Sequence, residues 1–145
     1  MQITNTIAAI KTWFVEALPE PTDKNRAVQI GCHYEEVAEM LQTLPTHHPC
    51  LRDDLADIAN QYKKRHPGVD THAVDRQELL DALCDQIVTA VGVAHMFGMD
   101  IESALTEVNR SNWSKFVDGK PVFNEHGKIA KGPNYTEPDI AGFAK

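Results

Sequence analysis

The stretch LLDALCDQIVTAVGVAHMFG, residues 79–98, is apolar around most of a helical circumference. A helix that is apolar nearly all round is normally buried in the core of a protein. Gly98 ends the stretch at a position where a left-handed residue favours helix termination. The stretch therefore predicts a long core helix from about Arg76 to Phe97, which places the protein in an α-helical class.

Apolar spacing and capping residues predict four further helices. The first has Ile3, Ile7, Ile10 and Phe14 at spacings of four, three and four. Asp23 and Asp100 are expected to be N-caps of later helices. The four helices cover residues 3–18, 23–44, 51–66 and 100–116.

The pattern changes after residue 115, where proline and glycine become frequent. PVF and KIA are short extended runs joined by NEHG, which predicts a small β-hairpin, and KGPNYTEPDI follows as a coil. We therefore expect one domain over residues 1–145, with residues 116–145 forming a hairpin and coil tail. The expected fold class is all-α: a bundle of four to five helices with a short β-hairpin and coil appendage at the C-terminus.

The chain has 145 residues and a formal charge of −7, without a run rich in Lys or Arg. Proteins that bind duplex nucleic acid need a basic surface. We therefore expect that the chain does not bind duplex nucleic acid. The negative charge is still compatible with a nucleotide substrate, because metal ions can bridge acidic side chains and phosphates. We find no signal-peptide pattern and expect no apolar run long enough to span a membrane.

Cysteine and histidine do not occur at metal-ligand spacing. Cys32, Cys50 and Cys84 are odd in number and form no C-x-x-C motif. We expect Cys32 and Cys84 to be small core residues of a reduced, cytoplasmic protein. His47 and His48 are expected to be polar loop residues, because such a pair alone makes a poor zinc site.

Two clusters of acidic residues recur at helical spacing: Glu35, Glu36 and Glu39 in the second helix, and Glu78, Asp81 and Asp85 in the fourth. A solvated helix face is the ordinary explanation for any one of them. However, like charges stacked on one face repel, and buried acids need partners or metal. The apolar neighbours of both clusters therefore favour a divalent cation with oxygen ligands, such as Mg²⁺ or Mn²⁺.

Three blocks of sequence, in order, resemble the MazG-like nucleoside triphosphate pyrophosphohydrolases of the all-α NTP pyrophosphatase superfamily. The first is EExxE in the second helix followed by an acidic fourth helix that contains Asp85. The second is EVNRSNWSK, residues 107–115, which is similar to the family's EVxRxNxSK. The third is the tail GKPVFNEHGKIAKGPNYTEPDI, which resembles the ending of small phage and bacterial members. The resemblance covers residues 25–143.

The resemblance implies hydrolysis of a (deoxy)nucleoside triphosphate to the monophosphate and pyrophosphate, with Mg²⁺ as cofactor and Mn²⁺ as a substitute. It implies that Glu36, Glu39 and Asp85 ligate metal and that Glu35 orients or deprotonates the attacking water. Ala82 stands where the family's ExxD motif has Glu. Either Glu78 or Asp81 is expected to take the place of that residue.

Phosphates need fixed cations and hydrogen-bond donors, and the candidates for substrate binding are Asn109, Arg110, Asn112, Lys115 and Lys131, with Tyr135 as a possible stacking residue for the base. A solvated helix face is the ordinary explanation for Arg110 and Lys115, and the resemblance favours Asn112 and Lys115 in particular. The resemblance implies a homodimer or homotetramer. From the composition we expect no membrane partner and a cytoplasmic location, which is the host cytoplasm if the chain is phage-encoded. Two other functions stay open: a phosphoribosyl-ATP pyrophosphohydrolase, and a non-catalytic nucleotide-binding helical module. The role is either control of the nucleotide pool or supply of one dNMP.

Overall fold

The computed structural model describes residues 6–45, 49–65 and 70–145, so Ile3, His47 and His48 lie outside the described residues. No β-strand occurs in these ranges, and the fold class is all-α as predicted. Five α-helices follow one another along the chain, and a one-turn 3₁₀ helix, Ala141–Phe143, comes last. The α-helices are α1 (Thr6–Ala17), α2 (Asp23–Thr43), α3 (Pro49–Lys63), α4 (Arg76–Met96) and α5 (Ile101–Trp113).

Local side-chain chemistry sets the helix ends. The Thr22 hydroxyl accepts a hydrogen bond from the backbone N–H of Asn25, and the Asn25 side chain accepts one from the backbone N–H of Thr22. This capping box begins α2, so the prediction of Asp23 as the N-cap is wrong by one residue. The prediction for Asp100 is confirmed, because its carboxylate accepts from the backbone N–H of Ser103 at 3.0 Å.

Gly98 ends α4 as predicted. Its φ is +71°, a left-handed conformation that glycine adopts without a steric penalty. Asp75 begins the same helix by accepting hydrogen bonds from the backbone N–H groups of Gln77 and Glu78. Both ends of α4 are therefore fixed by local sequence.

The described residues form two compact units, each of which is treated by itself below. One consists of Met1–Pro19, Val74–Val122 and Ile129–Lys145, and contains α1, α4, α5 and the C-terminal segment. The other consists of Glu20–Ala73 and Phe123–Lys128, and contains α2, α3 and one turn of the tail. One domain spanning residues 1–145 stays a prediction.

A close contact between α2 and α3 holds their unit together. A Cβ atom at Gly31 would lie 2.6 Å from Lys63 Cγ and 2.7 Å from the Ala59 carbonyl oxygen, so only glycine fits. One turn beyond Gly31, the rings of Tyr34 and Tyr62 lie 5.8 Å apart between their centroids. The two helices therefore approach at backbone distance and carry an aromatic pair beside the crossing.

Trp13 is the main core residue of the unit that contains α1 and α5. Its side chain is buried and meets the ring of Phe14 edge-on, with a centroid distance of 4.9 Å. Phe116, just after α5, lies 5.9 Å from the Trp13 ring centroid. This aromatic contact joins the N-terminal helix to the end of α5.

The largest departure from prediction is that α4 is exposed along most of its length. Ala94 is buried, but Leu80 is 63% exposed and Val88 is 67% exposed. The prediction of a buried core helix is therefore wrong for the isolated chain, and Cys84, predicted to be a core residue, is exposed. An apolar composition indicates that a helix packs against other apolar groups, but it does not say whether those groups belong to the same chain.

The apolarity of α4 also corrects the expectation that no segment is long enough to span a membrane. By length and composition alone, α4 could cross one, with a mean hydropathy of 1.3 over its most apolar 18 residues. The helix also carries the acidic residues Glu78, Asp81 and Asp85. Charged side chains inside a bilayer are costly, so composition alone does not decide between lipid and protein as the cover of α4.

The tail contains two tight turns, of which the second lies in the predicted β-hairpin. Asp118 and Gly119 have φ values of +50° and +73°, and Val117 and Lys120 exchange two backbone hydrogen bonds around them. This is the geometry of a two-residue Asp-Gly turn. Further on, the PVF and KIA runs pair in antiparallel orientation around the turn at Gly127. The Asn124 N–H donates to the Lys128 carbonyl at 2.9 Å, and the Ala130 N–H donates to the Val122 carbonyl at 2.7 Å. The hairpin prediction is therefore confirmed, although the pairing is too short to form an extended strand.

Candidate functional site

Glu35 of α2 forms two ion pairs at the same time. Its Oε1 lies 2.7 Å from Lys63 Nζ at the end of α3, and its Oε2 lies 2.8 Å from Lys128 Nζ in the tail. Burial by itself would raise the pKa of Glu35, but the hydrogen bonds from Lys128 and Lys63 outweigh it and lower the pKa below its ordinary value. Glu35 is therefore a carboxylate that ties two other segments to α2.

The turn at Asn124 to Lys128 delivers the second of these lysines. The Asn124 side chain accepts hydrogen bonds from the backbone N–H groups of His126 and Lys128, both at 3.0 Å. Such a turn, in which an asparagine side chain bonds to nearby backbone, is fixed by local sequence. Gly127 completes it with a φ of +80°. The turn thus holds Lys128 next to the acidic part of α2.

Glu36 and Glu39 lie on one face of α2, and both are exposed. The charge of Glu36 acts on Lys128. Burial by itself would lower the pKa of Lys128, but the hydrogen bond to Glu35 and the nearby charges, including that of Glu36, raise it. Glu39 lies one turn further along, and its carboxylate forms no hydrogen bond or ion pair with any other residue that the structure describes. Of the EExxE acids, Glu39 is thus the one most available to a metal ion.

Glu78, Asp81 and Asp85 of α4 are all exposed, which contradicts the expectation that they are buried among core residues. Exposed like charges at this spacing repel by only about 0.2–0.5 kcal/mol per pair. The repulsion that suggested a cation is therefore too small to require one. The case for metal on α4 depends on the chemistry of these side chains and on the resemblance.

Glu78 and Asp81 differ in their positions on α4. Glu78 occupies the third position of α4, where its charge favours the helix dipole and its backbone N–H bonds to Asp75 at 3.1 Å. The position of Glu78 is therefore explained by the helix start alone. Asp81 has no such role, and it lies four residues before Asp85 on the same face. Whether Glu78 or Asp81 is the partner of Asp85 stays a prediction, and Asp81 is the one whose position the start of the helix does not explain.

Carboxylate oxygens are suitable ligands for Mg²⁺, and each of the two helices offers as many of them as a Mg²⁺ site usually takes from a protein. Across residues 6–45, 49–65 and 70–145, no three His, Cys, Asp or Glu side chains gather at one point. Mg²⁺ usually takes one or two carboxylates from a protein and completes its octahedron with water and substrate phosphates. The pair Glu36 and Glu39 on α2 and the pair Asp81 and Asp85 on α4 each offer that number.

Arg110 fastens the C-terminal segment to α5. It forms a bidentate ion pair with Glu107, with N–O distances of 2.8 and 2.7 Å. It also donates to the Thr136 hydroxyl at 2.6 Å and to the Glu137 carbonyl at 3.1 Å. The predicted contact of Arg110 with substrate stays a prediction, and in this structure its guanidinium is occupied by the tail.

Glu107 takes part in the same attachment. Its carboxylate accepts a hydrogen bond from the backbone N–H of Asp139 at 2.9 Å. The hydrogen bonds from Arg110 and from that backbone N–H lower the pKa of Glu107 to about 2. The EVNRSNWSK block therefore contains residues whose first role is to hold the tail.

Ser111 and Gly132 complete the contact between α5 and the tail. The buried Ser111 hydroxyl donates to the Thr136 carbonyl at 2.8 Å, and the Thr136 N–H donates to the Ser114 hydroxyl at 2.9 Å. A Cβ atom at Gly132 would lie 2.6 Å from Val117 and 3.0 Å from the Lys115 carbonyl oxygen. The α5 block and the KGPNY segment thus form one folded surface.

Two lysines among the predicted substrate-binding residues lie on this surface. Lys115 donates to Asn112 Oδ1 at 2.7 Å, and its Nζ lies 5.9 Å from the centroid of the Trp13 ring. Lys131 Nζ lies 4.5 Å from the centroid of the Tyr135 ring, a cation–π distance. Gly132 places Lys131 next to the end of α5, so the structure brings the two lysines into one region.

Asn109, also a predicted substrate-binding residue, points its amide oxygen inward. Among the described residues, neither Asn109 Oδ1 nor Trp13 Nε1 has a hydrogen-bond partner, and both atoms are buried. A buried polar atom without a partner lowers stability by about 1–3 kcal/mol. A direct contact between Asn109 and a ligand therefore requires a local change in side-chain position.

The predicted site residues divide between the two units. Glu35, Glu36 and Glu39 belong to the unit of α2 and α3, whereas all the others belong to the unit of α1, α4 and α5. Sequence reasoning missed Lys63 and Lys128 as partners of Glu35. Lys128 was visible in the GKxxKGPNY motif, while nothing in the sequence distinguished Lys63 from a surface lysine.

No protein-family model, curated protein or solved structure matches the chain.

Proposed function

We propose that the protein is a Mg²⁺-dependent pyrophosphohydrolase that converts a (deoxy)nucleoside triphosphate to the monophosphate and pyrophosphate. The observation that carries the proposal is the placement of two exposed carboxylate pairs at helical spacing. Glu36 and Glu39 lie on α2, and Asp81 and Asp85 lie on α4. These are the positions that align with the EExxE and acidic-helix blocks of the MazG-like enzymes.

In this proposal the carboxylate pair of α2 and the carboxylate pair of α4 each hold Mg²⁺, and Mn²⁺ can replace it because it prefers the same oxygen ligands. When bound, the metal supplies neutralisation of phosphate charge and a water molecule of lowered pKa. Glu39 and Asp85 are the principal ligands. Asp81 takes the place of the Glu that the family has at the position of Ala82.

Lys115 and Lys131, on the surface formed by α5 and the tail, bind the phosphates, although Lys131 Nζ also lies 3.8 Å from Glu137 Oε1. Lys115 is held by Asn112, and Lys131 lies over Tyr135, so both ammonium groups are oriented before substrate arrives. Fixed cations reduce the electrostatic repulsion between a polyphosphate and a protein of net negative charge. Tyr135 can also present its ring to the base, and Arg110 contributes by keeping the tail on α5.

Glu35 orients or deprotonates the attacking water only if one of its two lysines moves away. A carboxylate with a lowered pKa is a weak base, so we assign Glu35 first to orientation of the site and second to proton transfer. A cytoplasmic homodimer or homotetramer, without duplex nucleic acid or membrane as a partner, is part of the same proposal.

The test is to incubate the purified chain with Mg²⁺ or Mn²⁺ and each NTP and dNTP in turn, and to separate the products by ion-exchange chromatography. We expect monophosphate and pyrophosphate, with turnover reduced by at least roughly 100-fold in Glu39→Gln and in Asp85→Asn. Asp57→Asn, which changes an exposed acid of α3 outside the site, is the matched control and should retain activity. Production of diphosphate and orthophosphate would contradict the proposal.

Phosphoribosyl-ATP belongs in the same panel. Turnover of that compound alone would indicate the enzyme of histidine biosynthesis, and tight nucleotide binding without turnover would indicate a binding module. Either result would replace the proposal.

A further inference from the structure

Lys63 and Lys128 bring two ammonium groups to the same carboxylate on α2. Lys63 Nζ lies 2.7 Å from Glu35 Oε1, and Lys128 Nζ lies 2.8 Å from Glu35 Oε2. An ammonium group has three N–H donors, and Glu35 takes one from each lysine. Two lysines on one carboxylate leave a surplus of one positive charge beside the acidic part of α2. All three residues belong to the unit of α2 and α3.

The close contact between α2 and α3 holds Lys63 in this position. Gly31 lies four residues before Glu35, on the same face of α2. A Cβ atom at Gly31 would lie 2.6 Å from Lys63 Cγ, so glycine at this position leaves room for the lysine side chain to pass along α2. The Lys63 side chain is only 17% exposed. The contact at Gly31 therefore also places a cation beside Glu35.

A turn of the tail holds Lys128 from the other side. The Asn124 side chain accepts a hydrogen bond from the Lys128 backbone N–H at 3.0 Å, which fixes the backbone from which the ammonium group extends. The Lys128 side chain stays 44% exposed. Lys128 can therefore donate to Glu35 and to a ligand from solution at the same time.

The two lysines change the kind of ligand that the EExxE surface attracts. Glu39 lies four residues after Glu35, so the two side chains are neighbours on α2, roughly 5–6 Å apart at Cβ. A divalent cation on Glu36 and Glu39 would balance those two carboxylates, but Glu35 would still leave one negative charge, which repels a polyphosphate. With Lys63 and Lys128 in place, the same surface carries one positive charge in its stead and attracts a polyphosphate.

We propose that Lys63 and Lys128 form a polyphosphate subsite beside the α2 metal ligands, in which Glu35 positions both ammonium groups. Lysine suits this task because its charged N–H donors form short, strong hydrogen bonds to phosphate oxygens. The subsite rests on the proposed function, because it takes a metal on Glu36 and Glu39 as the neighbour of the phosphates. Glu35 is a positioning residue in this arrangement.

The first test is the binding of inorganic pyrophosphate to the full chain in the presence of Mg²⁺, measured by isothermal titration calorimetry. Lys128→Met should weaken binding about 10–100-fold, the usual effect of losing a hydrogen bond to a charged group. Lys24→Met is the matched control. It removes the same charge, and Lys24 Cε lies 3.2 Å from the place of a Cβ atom at Gly127 in the same turn, so it should leave the affinity nearly unchanged. No binding by the wild type, or equal affinities of the wild type and Lys128→Met, would overturn the proposal.

Lys63 and Lys64 offer a second matched pair in the same titration. They are consecutive at the end of α3, but Lys63 bonds to Glu35 whereas Lys64 is exposed. Lys63→Met keeps an unbranched apolar stem against Gly31 and should weaken pyrophosphate binding, while Lys64→Met should not. Equal affinities of these two variants would remove Lys63 from the subsite.

The second test needs no variant and therefore does not depend on how a variant folds. The wild-type chain is acetylated with acetic anhydride, and the rate at each lysine is measured by mass spectrometry of its peptides. Pyrophosphate with Mg²⁺ should slow acetylation of Lys128 and leave that of Lys24 unchanged, and sulfate at the same ionic strength should slow neither. No slowing at Lys128, or equal slowing by sulfate, would overturn a polyphosphate subsite.

The two proposals fail separately. A wild type that releases pyrophosphate from a nucleoside triphosphate, together with undiminished pyrophosphate binding by Lys128→Met, would refute the subsite and leave the function standing. A wild type that binds pyrophosphate through Lys128 but hydrolyses no nucleoside triphosphate would refute the function and leave the subsite standing.

Discussion

Changing Gly31 to alanine should destabilise the contact between α2 and α3, whereas the same change at Gly92 should stabilise α4. Both glycines lie inside helices. A Cβ atom at Gly31 would lie 2.6 Å from Lys63 Cγ, 2.7 Å from the Ala59 carbonyl oxygen and 3.0 Å from the Lys63 backbone nitrogen. A Cβ atom at Gly92 would have no neighbour within 4 Å in the described structure. Comparing the two variants therefore gives the free-energy cost of placing a Cβ atom in the close contact between α2 and α3.

The magnitude is a balance of two effects. Replacing a mid-helix glycine by alanine favours the helix by about 1 kcal/mol. Overpacking a tight contact costs about 1–3 kcal/mol, and two of the three atoms met at Gly31 belong to the backbone, which favours the upper end of that range. Gly31→Ala should therefore lower the free energy of unfolding by about 1–2 kcal/mol, and Gly92→Ala should raise it by about 1 kcal/mol.

The assay is urea denaturation followed by two signals. Tyr34 and Tyr62 lie in the affected unit, so tyrosine near-ultraviolet circular dichroism reports mainly on the α2–α3 contact. Fluorescence of Trp13 and Trp113 reports on the other unit. The tyrosine midpoint should fall in Gly31→Ala. If Gly31→Ala raises that midpoint as Gly92→Ala raises the overall stability, the backbone-distance contact at Gly31 does not exist.

Three further predictions follow from single contacts. Lys128→Met removes one ion pair of Glu35, so the carboxyl pKa of Glu35 should rise in a carbon-13 NMR titration, whereas Lys120→Met should leave it unchanged. Folding lowers the pKa of Glu107 from 4.5 to about 2. Its contribution to stability is therefore complete above pH 4.5 and is lost as the pH falls towards 2. Cleavage of residues 131–139 by pepsin should accelerate over that range in the wild type, and the acceleration should be weaker in Glu107→Gln. Ala82→Glu restores the ExxD spacing with Asp85 and should tighten Mn²⁺ binding, measured by electron paramagnetic resonance; unchanged or weaker binding would contradict the assigned role of Asp85.

The sequence was informative where a structural feature depends on nearby residues. Gly98 and Asp100 mark helix boundaries because a left-handed residue and an N-cap each act within one turn. The start of α2 was misplaced by one residue because Thr22 and Asp23 are both good capping residues, and only the reciprocal bond with Asn25 distinguishes them.

The sequence was less informative where a feature depends on distant residues. The partners of Glu35 are 28 and 93 residues away along the chain, and no spacing rule connects them. The contact of Arg110 with substrate stays a prediction, but no spacing rule could have shown that Thr136, 26 residues later, supplies an acceptor for it. The exposure of α4 could not be predicted for the same reason, since its pattern specifies an apolar environment without specifying the source.

The proposed reaction is hydrolysis of a nucleoside triphosphate between its α- and β-phosphates, with the carboxylates of α2 and α4 as the proposed metal ligands. Its most direct test is phosphorus-31 NMR of the reaction with Mg²⁺ and the preferred substrate, with the wild type, Glu39→Gln and Asp57→Asn compared at equal concentration. We expect equimolar monophosphate and pyrophosphate from the wild type and Asp57→Asn, and little or no product from Glu39→Gln. Undiminished turnover by Glu39→Gln, or orthophosphate as the first product, would contradict it.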